Sequence, residues 1–112
     1  MSARIILVDD DTTTLVILMG LLRAEGFFVD AFDLAASAVA QLADTSYDVL
    51  VTDIDMPGMT GHQLIAAARP LRPAMGYIVV SGKARSAHVA ADVGWLRKPL
   101  ELDVLVEMLR VH

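Results

Sequence analysis

Short apolar runs rich in β-branched residues alternate with segments of helical period along the whole chain, and this alternation restricts the fold more than any other feature. The runs are Arg4–Val8, Phe27–Ala31, Asp48–Thr52, Tyr77–Val80 and Gly94–Arg97. Near-continuous apolar runs are what strands buried on both faces of a parallel sheet require. Between them, Thr12–Glu25 carries Leu15, Leu18, Met19 and Leu22 at helical spacing, and Leu34–Ala43 carries Leu34, Ala38, Val39 and Leu42. Gly26 stands where the first helix needs a cap, and Asp33 is placed to cap the second. A third helix is expected from Gly61 to Arg69, stopped by Pro70 and Pro73, and a last one over Glu101–Val111 with Leu102, Leu105, Met108 and Leu109 facing in. Ser86–Asp92 predicts only a weak helical stretch. Strand–helix repeated five times without a linker predicts a single α/β domain over residues 1–112, a doubly wound parallel sheet with right-handed crossovers.

In such a sheet the carboxyl ends of all strands lie on one edge, which is where ligands bind. Asp9, Asp10, Asp53, Ser81 and Lys98 each follow directly on a strand or end one, so they are expected to meet there. The third strand is the most pointed case. It runs into Asp53 and Asp55, then Met56-Pro57-Gly58 and Gly61. An Asp at that position contributes little to packing and is well placed for chemistry.

Composition narrows the chemistry. With no cysteine there is neither a disulfide framework nor a thiolate metal site, which fits a cytoplasmic protein. A net charge of −5 speaks against nucleic acid or an anionic membrane as a partner of this domain alone. No apolar stretch is long enough to span a bilayer. Carboxylates without a neighbouring His or Cys suit a hard, oxygen-seeking cation, magnesium above all. Magnesium beside a carboxylate, a hydroxyl and a lysine can handle a phosphoryl group, and the central carboxylate can itself become the acyl phosphate.

Val8-Asp9-Asp10, Asp53-x-x-Met56-Pro57-x-x-x-Gly61, Ser81-Gly82 and Lys98-Pro99, in this order, resemble the response-regulator receiver domain of two-component systems. The resemblance covers the whole chain. It implies a flavodoxin-like (βα)5 fold with strand order 2-1-3-4-5. It implies that Asp53 is the phosphoacceptor for the phosphohistidine of a sensor histidine kinase or phosphotransfer protein, in a Mg2+-dependent reaction. Asp10 and Asp53 would ligate the metal through side chains, Asp55 through its backbone carbonyl and Asp9 through a bound water. Lys98 would contact the phosphoryl group, Ser81 would swing towards it, and Trp95 stands where the family has its aromatic switch residue. The Lys98–Pro99 bond is typically cis in the family. Such a domain is no turnover enzyme; it switches an output domain or partner protein, with a homodimer left open. Sixteen residues between Ser81 and Lys98 are fewer than receivers usually carry, so the fourth helix is expected to be short and mobile.

Two other readings compete. Asp53-x-Asp55 also resembles the nucleophile motif of haloacid-dehalogenase-type phosphatases, but those carry their acidic pair downstream, and here Asp9-Asp10 lies upstream. A degenerate receiver acting only as an interaction module is the other, and a complete set of phosphorylation residues counts against it. Asp11 reads as a helix cap, the methionines as core filler, and His62, His88 and His112 as solvated surface residues. Lys83 and Asp55, each two residues beyond Ser81 and Asp53, suggest a loose ion pair across the mouth of the site.

Overall fold

A computed structural model describes residues 3–111. Five strands and four helices alternate through most of it: β1 (Arg4–Val8), α1 (Thr12–Ala24), β2 (Phe28–Phe32), α2 (Ala35–Asp44), β3 (Val49–Asp53), α3 (Gly61–Leu71), β4 (Gly76–Ser81), β5 (Val93–Arg97) and α4 (Leu102–Arg110). The strands form one parallel sheet in the order β2-β1-β3-β4-β5, as the resemblance implied. Alternate residues of each strand feed two cores. Ile6, Val8, Leu50, Tyr77 and Val79 pack with α2 and α3 on one face. Ile5, Leu7, Val49, Val51, Ile78 and Val80 pack with α1 and α4 on the other. The three inner strands are therefore covered on both sides, which is why their sequence is apolar except at the ends.

Local signals set the helix ends. Asp11 caps α1 by accepting the N–H groups of Thr13 and Thr14. Gly26, at φ +97°, closes its other end: its N–H bonds Arg23 and that of Phe27 bonds Leu22, satisfying carbonyls the helix leaves open. Thr60 and Gln63 form a reciprocal capping box that starts α3 where β3 has just delivered Asp53. Pro70 does not stop α3; it sits inside the last turn, and the helix runs on to Leu71.

Three further expectations need correction. Asp33 caps nothing: Leu34 takes the N-cap position of α2 without a side-chain cap bond. Leu34 is accordingly 56% exposed, and not part of the helix's apolar face. The third correction is larger. No helix forms between β4 and β5, so the (βα)5 pattern ends with four helices among the described residues. Residues 82–92 instead make two turns, closed by Val89 N–H to Ser86 and Val93 N–H to Ala90. Alanines at 84, 87, 90 and 91 bury too little area to anchor a helix of so few residues. Polar clasps do the holding. The Arg85 guanidinium donates to the carbonyls of Ala90 and Val93, and Arg69 makes a two-pronged pair with Asp92 at 2.8 Å. That pairing holds the Asp92 carboxyl below its ordinary range.

Candidate functional site

β1 and β3 are neighbours in register, so Asp9 and Asp10, just past β1, lie beside Asp53 at the end of β3. One carboxylate oxygen from each of the three falls within 4.8 Å of the others. Asp9 is buried, at 8% exposure, whereas Asp10 is open to solvent. Burial pushes the Asp9 carboxyl above its ordinary range, and the carboxylates of Asp53 and Asp10 push the same way; the Asp11 N–H, 2.9 Å from Asp9 Oδ1, pulls against them. Three acidic side chains this close repel one another without a cation. The donor set is all oxygen, so a magnesium ion fits it on charge and ligand type.

Asp53 is held on both oxygens. The Ile54 N–H donates to Oδ1 at 2.8 Å, and Lys98 Nζ lies 3.3 Å from Oδ2. Its backbone is fixed by the buried Thr52 hydroxyl, which donates to the Asp53 carbonyl at 2.8 Å. Gly61 presses on the same segment: a Cβ there would run into the Asp53 carbonyl oxygen. Lys98 comes from the far side of the sheet. Its N–H donates to the Ser81 carbonyl at 2.7 Å, and its bond to Pro99 is cis. A cleft of about 190 Å³ opens here, lined by Asp9, Asp53, Lys98, Thr14, Leu18 and Leu100.

Ser81 is buried at 1% exposure, and its hydroxyl accepts the Lys83 N–H at 3.0 Å. Asp55 stands outside the carboxylate cluster: its exposed side chain faces Lys83 Nζ at 3.6 Å, the loose pair suggested by the spacing. Trp95, half-buried on β5, donates its indole N–H to the Lys83 carbonyl at 2.9 Å. One carbonyl thus links the aromatic residue to the segment that follows Ser81. Sequence reasoning missed that His62 stacks on the Trp95 ring, centroids 6.1 Å apart. His62 follows Gly61 at the start of α3, and no periodic signal marks such a contact. His88 is exposed, as expected; His112 lies outside the described residues. A wider groove of about 630 Å³, lined by Arg4, Arg23, Phe28 and Tyr47, sits at the other edge of the sheet, away from these carboxylates.

Among the described residues no helix is long and apolar enough to cross a membrane. The profile of the response regulator receiver domain family matches residues 5–110. The chain is 33% identical over 108 residues to the response regulator receiver protein CpdR of Brucella abortus, covering 92% of this chain and 90% of CpdR. It is 29% identical over 117 residues to the response regulator protein FleR of Pseudomonas aeruginosa, covering all of this chain but a quarter (25%) of FleR. A receiver domain protein from Methanospirillum hungatei superposes with a TM-score of 0.88 at 31% identity, over 99% of this chain and 93% of the other. The receiver domain of the hybrid histidine kinase CckA gives 0.85 at 26% identity, over 96% of each chain. Sequence, strand order and the carboxylate cluster at the carboxyl edge all agree: the chain belongs to the response regulator receiver domain family.

Proposed function

We propose that Asp53 accepts a phosphoryl group from the phosphohistidine of a sensor histidine kinase or phosphotransfer protein, in a magnesium-dependent reaction. The observation that carries the reading is the meeting of Asp9, Asp10 and Asp53 with Lys98 at one edge of the sheet. In the transfer, an Asp53 carboxylate oxygen attacks phosphorus while the phosphorus–nitrogen bond to the donor imidazole breaks. The imidazole leaves with that electron pair and takes a proton from solvent. Asp53 is left as an acyl phosphate.

Asp10 and Asp53 would hold magnesium through their side chains, Asp55 through its backbone carbonyl, and Asp9 through a water. Bound there, the ion would neutralise charge on the phosphoryl oxygens. Lys98 supplies the second cation and orients the acceptor, since its ammonium already faces Asp53 Oδ2. Ser81 would give up its bond from the Lys83 N–H to donate to the phosphoryl group, and Trp95 would follow through the Lys83 carbonyl. The domain modifies itself and turns over no external substrate. Its output is a change in what it holds, whether an output domain, a partner protein or a second copy, and its setting is the cytoplasm. The whole of 1–112 acts as one receiver domain.

The test is incubation with acetyl phosphate, with magnesium or with a chelator, followed by intact mass. One added phosphoryl group with magnesium and none with chelator is the expected result. No adduct in either arm overturns the reading.

A further inference from the structure

His62 is mounted on the segment that carries Asp53. The preceding Gly61 donates its N–H to the Ile54 carbonyl at 2.8 Å and lies too close to the Asp53 carbonyl for a Cβ to fit. The capping box of Thr60 and Gln63 fixes the same turn. The start of α3 is therefore held to the acceptor strand, and His62 stands on it as a fixed post. Its ring is exposed, and it reaches across to lie on Trp95 with centroids 6.1 Å apart and planes 30° from parallel. That is the offset stacking aromatic rings prefer. No helix stands between β4 and β5 among the described residues, so Trp95 lacks the cover a crossover helix would give. His62 takes that place.

Beyond Trp95 the contacts converge on Lys83. Its carbonyl accepts the Trp95 indole N–H at 2.9 Å, and its own N–H is given to Ser81 Oγ at 3.0 Å. Both groups flank one Cα. For the Ser81 hydroxyl to turn to a phosphoryl group, the Lys83 N–H has to find water instead, which requires the backbone at 82–83 to swing outward. The Trp95 bond to the Lys83 carbonyl opposes that swing. Whatever holds the indole in place thus holds the Ser81 hydroxyl as well.

We propose that His62 is a positioning residue for the phosphorylation switch: stacked on Trp95, it keeps the indole on the Lys83 carbonyl and the Ser81 hydroxyl on the Lys83 N–H. Its effect on phosphorylation rests on Asp53 being the acceptor; the hold on Trp95 does not. Removing the ring frees Ser81 and makes the protein quicker to accept a phosphoryl group, because less of the population waits in the latched arrangement.

The test compares wild type with His62→Ala, which removes the ring, and His62→Phe, which keeps a ring to stack. Trp95 is the chain's one tryptophan, so its indole N–H is a single signal by NMR. In the unmodified protein, His62→Ala is expected to speed exchange of the Trp95 indole and Lys83 amide protons by about fivefold, leaving Leu15–Leu22 unchanged. With acetyl phosphate and magnesium, His62→Ala should be modified about threefold faster than wild type. His62→Phe should restore both values. Unchanged exchange in His62→Ala, failure of His62→Phe to restore it, or faster exchange that extends to Leu15–Leu22 overturns the proposal. So does faster exchange with an unchanged phosphorylation rate, which would make the stack a packing contact only. A protein that accepts a phosphoryl group at a rate indifferent to His62 overturns this proposal alone, whereas no adduct in any of the three proteins overturns the phosphoacceptor reading and this one with it.

Discussion

At the scale of single residues, two positions beside Asp53 respond to backbone and burial. Gly61→Ala places a Cβ against the carbonyl of Asp53 and within 3.0 Å of Ile54 Cα, and neither atom can move without disturbing the acceptor. The expected loss is about 1–3 kcal/mol, measured by chemical denaturation, together with slower phosphorylation. Asp9 behaves differently because burial raises its pKa. A carboxyl raised on folding opposes the folded state while ionised, so the metal-free protein should gain stability as pH falls through that raised value. Asp9→Asn keeps an acceptor for the Asp11 N–H and removes the charge. Metal-free protein should then melt a few degrees higher at neutral pH, lose this gain on acidification, and respond less to magnesium. A lower melting temperature without metal would contradict the burial argument. The Tyr77 hydroxyl, buried and without a hydrogen-bond partner among the described residues, makes Tyr77→Phe neutral or stabilising by up to about 1 kcal/mol. The acidic residues and Lys98 were legible because each follows a readable strand. The stacking of His62 on Trp95 was not, since it depends on how far α3 leans over β5.

At the scale of elements, the strands were readable from apolar runs and the helices from their apolar period and from caps such as Asp11 and Gly26. Residues 82–92 show where that reading stops. Their shortness was visible, and so was their lack of large apolar side chains, yet whether a turn of helix forms there was decided by side chains from elsewhere. Arg69 lies on α3, far away in sequence, and by holding Asp92 it fixes the end of the segment against β5. Arg85 takes the carbonyl of Ala90 within the segment and that of Val93 on β5, and so ties the turns to the edge of the sheet. The segment should therefore be the least protected part of the interior sequence. Amides of Ser86–Asp92 are expected to exchange about a hundredfold or more faster than those of Leu15–Leu22. Arg69→Ala should speed exchange near Asp92 and Val93, while global stability drops by no more than about 1 kcal/mol, because the pair is exposed. Strong protection of Ser86–Asp92 in the unmodified protein would mean that a helix forms after all.

At the scale of the whole molecule, topology turns scattered sequence positions into a site. Parallel pairing throughout the sheet puts every strand's carboxyl end on one edge. Residues near 9, 53, 81 and 98 are brought together by that rule alone, and a readable set of strands was enough to expect their meeting. The central claim is that Asp53 is the residue that carries the phosphoryl group. The most direct measurement is borohydride reduction of the protein after acetyl phosphate and magnesium, followed by peptide mass mapping. Reduction of an aspartyl phosphate leaves homoserine. The account predicts homoserine at position 53, its absence after hydroxylamine treatment, and no reduced residue in Asp53→Asn. Homoserine at another aspartate, or a phosphoryl adduct that survives hydroxylamine, would contradict it.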